Sequence, residues 1–136
     1  MTYDPPAITL EPDYAAALGA AVYAFASLEW NAVICCERLE PGSMDDLSER
    51  TAGRVADTLL SLARKHEPAL VDAASDFEAL VATRNNLVHA RPGTTAAGTA
   101  GLFRHGDEWT QEELLAVARM FEACAARLGA ESQMTA

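Results

Sequence analysis

Residues 70–89 read LVDAASDFEALVATRNNLVH, and the spacing of their apolar members decides the fold class. Leu70, Ala74, Phe77, Leu80, Val81, Arg84, Leu87 and Val88 recur at steps of three and four, apart from two adjacent pairs, the period of a helix with one face turned to a core. Arg84 stands on that stripe, seven residues after Phe77, where an apolar residue belongs. It needs a partner there, because a charge taken from water without compensation is costly. Pro68 suits a first helical turn and Pro92 bars helix beyond Arg91, so the helix runs from Glu67 or Pro68 to about His89.

On the N-terminal side, Pro5, Pro6 and Pro12 give an extended lead-in, after which Asp13 caps a helix from Tyr14 to about Leu39. Leu18, Val22, Phe25, Glu29, Ala32 and Cys36 form its stripe, widened by Leu28 and Val33, so Glu29 also interrupts an apolar face. Trp30 is expected in the core. Pro41-Gly42 ends this helix; Ser43 or Asp45 starts a short one to Arg50, and Thr51 opens another from about Ala52 to His66. On the C-terminal side, residues 91–109 are rich in glycine and threonine and read as loop, with a small hairpin over Thr99 to Trp109 turning at His105-Gly106-Asp107. Thr110-Gln-Glu-Glu113 is a capping box for a last helix that Gly129 stops. These elements define one domain: an all-α, up-and-down bundle of four to five helices, with a longer loop or hairpin before the last.

The chain has 136 residues, enough for one core, and a net charge of −10. That charge excludes a protein that coats nucleic acid by bulk electrostatics, so any RNA contact must be local, through Arg84, Arg91 and Arg104. No apolar run approaches the roughly 18 residues of a membrane span and no basic leader opens the chain, which points to a cytoplasmic protein with no membrane partner. Cys35, Cys36 and Cys124 lack metal-ligand spacing and read as reduced core thiols; three scattered histidines make a poor metal site, and no phosphate-binding glycine loop is present. Neither metal nor cofactor is expected.

Two stretches carry a family resemblance. Arg84-Asn85, three further residues and His89, near the end of a long helix, resemble the Arg-x(4–6)-His motif of the HEPN superfamily of small helical proteins. Phe25-Ala26-Ser27-Leu28-Glu29 is similar to a Phe-x-x-Leu-Glu pattern in helix one of several such proteins. The resemblance implies a homodimer in which the arginines and histidines of two protomers share a cleft. It also implies a metal-independent endoribonuclease of toxin–antitoxin or defence type, with RNA as substrate and an antitoxin as partner.

The residue types suit that chemistry. Cleavage of RNA without a metal needs a base for the 2′-hydroxyl proton, an acid for the leaving 5′-oxygen and a cation for the phosphate. His89 can serve as base or acid, and Arg84 can hold two phosphate oxygens. Asn85, four residues before His89, is placed to orient the imidazole, with Asn86 and Glu29 in support and Arg91 and Arg104 as RNA contacts. Arg84 and His89 lie about 140° apart around a regular helix, so one protomer presents them poorly to one phosphate, and a homodimer joined through the helix that carries residues 84–89 would mend this by gathering two of each in one groove. A bland alternative stands beside this one. Arg84 and Glu29 would be a buried ion pair, His89 would favour the helix C-terminus, and the protein would be a catalytically inactive dimerisation or interaction module.

Overall fold

A computed structural model describes residues 9–134, with side chains to residue 129. Pro5 and Pro6 of the expected lead-in lie outside the described residues. The element order is α1 (Pro12–Leu39), α2 (Ser43–Leu47), α3 (Ala52–His66), a 3-10 turn (Pro68–Leu70), α4 (Val71–Val88), β1 (Arg91–Thr94), β2 (Ala100–Arg104), β3 (Asp107–Trp109) and α5 (Gln111–Met134). Among the described residues the fold is mostly helical, with five α-helices and a small antiparallel sheet of order β1-β2-β3.

Local chemistry sets most boundaries. Pro12 occupies the first turn of α1 after Glu11, so it opens the helix where the lead-in was expected to continue; its missing N–H costs nothing there. Thr51 accepts a hydrogen bond from the Arg54 N–H and caps α3. Thr110 and Glu113 bond reciprocally, each side chain accepting from the other's backbone N–H, as the capping box requires. Gly129 does not stop α5, which continues to Met134. A single glycine costs a helix only about 1 kcal/mol, and no proline follows to enforce a stop.

The sheet is the element composition conceals. The hairpin β2-β3 turns on His105 and Gly106, both with positive φ (54° and 84°), the two-residue turn whose twist matches paired strands. Read as loop, Arg91–Thr94 instead pairs with β2, Arg91 opposite Phe103 and Gly93 opposite Gly101. A Cβ at Gly93 would sit 2.8 Å from the Phe103 ring, so the glycine provides room for that ring across the strands. Pro92 is tolerated because β1 is an edge strand.

Tyr14 ties the sheet to the bundle. Its hydroxyl accepts from the Leu102 N–H at 3.0 Å and donates to the Trp109 carbonyl at 2.6 Å. From this point α5 runs beside α1 in the same direction: Phe25 meets Phe121 edge to face, Asn31 donates to the Ala125 carbonyl, and Cys35 to that of Leu128. Four long helices in strict alternation would set these two antiparallel; here they are parallel, and both start at the sheet. Phe77, Phe121, Leu28, Leu59, Leu70, Leu114 and Leu128 fill the core.

The core side of α1 keeps five of the eight expected residues, Phe25, Leu28, Ala32, Val33 and Cys36, and extends to Tyr14, Ala17, Ala21, Ala24 and Cys35, while Val22 and Trp30 are about half exposed. Most of the added positions are small, which lets neighbouring helices approach closely. An 18-residue window of α1 has a mean hydropathy of 1.4, within the range of a membrane span, yet Phe25, Leu28 and Cys36 from the same helix belong to the core.

Candidate functional site

Arg84 lies in the last turns of α4, between buried Val81 and buried Leu87 on the core side of that helix. Its guanidinium carbon stands 4.8 Å from the centre of the Phe25 ring, and a terminal nitrogen is 4.0 Å from a Glu29 carboxylate oxygen. The partner expected for the arginine is therefore Glu29, with the Phe25 face as a second seat. The two interruptions of apolar stripes meet each other. The pair is not sealed, since the Arg84 and Glu29 side chains keep 27% and 33% of their surface exposed. That corrects the buried ion pair of the bland reading, and it leaves part of the Arg84 side chain open to solvent.

His89 caps the C-terminus of α4, its backbone N–H donating to the Asn85 carbonyl at 3.0 Å. Its ring and the Asn85 amide are exposed and do not bond to each other, so the expected orienting contact is absent within one chain. His89 does not join the Arg84 cluster, in keeping with the angle of about 140° that five helical residues impose. One protomer thus holds Arg84, Glu29 and Phe25 together and presents His89 and Asn85 on another side.

The arginines proposed for RNA contact separate as well. Arg91 is exposed at the start of β1. Arg104 reaches back from β2 to donate to the His89 carbonyl at 3.4 Å, satisfying an acceptor at the end of α4. With Asn86, Arg104 lines an open groove of about 510 Å³ whose other walls are His105, Asp107, Glu108, Trp109 and Glu113. Three carboxylates make this groove a poor seat for a phosphate. Sequence reasoning missed the groove because it is built by the hairpin and the capping box, which periodicity does not place beside Asn86.

Among the described residues no three His, Cys, Asp or Glu side chains gather as a metal site. Cys36 is fully buried, and burial, with Cys35 beside it, pushes its thiol up to about 12, so it is no nucleophile near neutrality. Comparison with protein-family models, with curated proteins and with solved structures gives no match.

Proposed function

We propose that this chain is a metal-independent endoribonuclease of HEPN type, acting as a homodimer, with an antitoxin-like partner in a toxin–antitoxin or defence setting. The observation that supports it most is the Arg84 cluster. Phe25 and Glu29, from the Phe-x-x-Leu-Glu stretch, and Arg84, from the Arg-x(4)-His stretch, lie 59 and 55 positions apart in sequence and converge at 4.8 and 4.0 Å. In the proposed mechanism Arg84 gives up its long 4.0 Å contact with Glu29 for paired hydrogen bonds to two oxygens of the scissile phosphate, and keeps its place by stacking on Phe25. His89 of each protomer then supplies the base for the 2′-hydroxyl and the acid for the 5′-oxygen. The second reading, a non-catalytic interaction module, draws on the outward position of His89 and Asn85 in the single chain.

Labelled RNA incubated with the protein in chelator tests the assignment. The expected result is cleavage to a 2′,3′-cyclic phosphate, slowed about a hundredfold or more in His89→Ala, the scale of a lost general acid or base. Folded His89→Ala that cuts as fast as wild type rules out the histidine, and a wild-type dimer that cuts none of a varied RNA set selects the interaction module.

A further inference from the structure

We infer that the exposed face of α1 is the docking surface for a second copy of this chain, packed antiparallel about a two-fold axis near Tyr23. Ala15, Gly19, Val22, Tyr23, Ala26 and Trp30 are all exposed and fall within an arc of about 100° around the helix. Val22, Tyr23 and Trp30 keep 54%, 76% and 49% of their surface. No charged residue stands between Asp13 and Glu29. In a chain of net charge −10 this is the stretch where two copies meet without repulsion.

Shape selects the copy and its direction. The strip has a large residue at one end, Trp30, and small ones at the other, Ala15, Ala16 and Gly19. Antiparallel packing lays Trp30 of each chain over the small residues of its partner, which puts the axis midway, beside Tyr23. Gly19 is open to receive it: a Cβ there would meet nothing within 4 Å. A lipid surface fits less well, because helices that lie on membranes carry lysine and arginine on their polar side, and α1 has Arg38 alone. The strip is about 23 Å long and by itself falls short of the roughly 800 Å² that each partner of a stable interface buries. The adjoining end of α4 completes it, where Val88, one turn past Arg84, is 51% exposed.

The same symmetry bears on the site. Phe25 and Glu29, which hold Arg84, lie on one flank of the strip. A two-fold axis that lies in the interface and crosses the helices keeps that flank on the same side in both chains, so both Arg84–Glu29 pairs line one groove. A parallel pairing would send them to opposite sides. This part rests on the composite ribonuclease reading; the dimer rests on the surface alone.

Sedimentation of the full chain at micromolar concentration tests it, with far-UV circular dichroism as the check on folding. The expected result is a wild-type dimer whose self-association weakens at least about thirtyfold in Gly19→Arg, which buries an unpaired charge in the interface while leaving the monomer unaltered. Under mild oxidation Tyr23→Cys should link two chains by a disulfide across the axis, and Asp57→Cys on α3 should not. A wild-type monomer, including one that floats with lipid vesicles, overturns the inference. So does a dimer indifferent to Gly19→Arg or one without the Tyr23→Cys link. A linked dimer that cuts no RNA upholds this interface and removes the ribonuclease; a monomer that cuts RNA removes both this interface and the two-protomer site.

Discussion

Glu29 and Arg84 show how much a distance and an exposure decide. A sealed pair broken on one side typically costs about 3–5 kcal/mol, because a bare charge is left in the core, whereas an exposed pair is worth under about 1 kcal/mol. At 4.0 Å, with roughly a third of each side chain in contact with solvent, this pair belongs to the second class. Glu29→Gln should therefore lower the unfolding free energy by less than about 1 kcal/mol in denaturant titration, and a loss of several would mean that the pair is closed to water. Stability and activity should then part company. If Glu29 holds Arg84 for a phosphate, Glu29→Gln changes cleavage more than it changes the melt.

At the scale of elements, what was legible tracks what is local. The capping box of α5 and the Thr51 start of α3 follow from side chains bonding within a few residues, and each is observed; α4 ends at Val88 close to the expected His89, but residues 68–70 form a 3-10 turn, so the α-helix starts at Val71 and not at Glu67 or Pro68. The hairpin turn at His105-Gly106 is local too. Strand β1 was not legible, because Arg91-Pro-Gly-Thr has no apolar alternation and gains its place only by pairing with β2. The seam of α1 was legible in part, as Phe25, Leu28, Ala32, Val33 and Cys36, while the exposure of Val22 and Trp30 and the burial of Ala17, Ala21 and Ala24 depend on packing that only the neighbouring helix reveals. Of the site, the meeting of Glu29 with Arg84 was readable as two interrupted stripes, while Phe25 as a seat and Arg104 as the partner of the His89 carbonyl depend on tertiary contact. Tyr14 is the corresponding long-range hinge between elements. Tyr14→Phe removes the acceptor for Leu102 and the donor to Trp109, leaving part-buried backbone groups unpaired, and should cost about 1–3 kcal/mol. Hydrogen exchange should localise the effect, with faster exchange at the Leu102 amide and little change in α3.

For the whole molecule, two buried acids couple folding to alkaline pH. Burial raises the Cys36 thiol from an ordinary value of 9.0 to about 12, and burial also raises the Tyr14 phenol above 10.0 against the opposing hydrogen bond from Leu102. Both are neutral in the folded chain over a range where the unfolded chain ionises, so the folded state binds more protons there. Stability is then full below about pH 9 and falls as pH rises toward 12. The net charge of −10 acts in the same direction, since further ionisation adds to self-repulsion. Cys36→Ala separates the contributions. It removes one titrating group at the cost of a small cavity, so its stability at pH 7 should be lower than that of wild type, while its decline between pH 9 and 12 should be shallower. Denaturant midpoints across that range are the measurement. Parallel curves for the two proteins would show that the Cys36 thiol does not govern the alkaline limb, and would leave Tyr14 and overall charge repulsion to account for it.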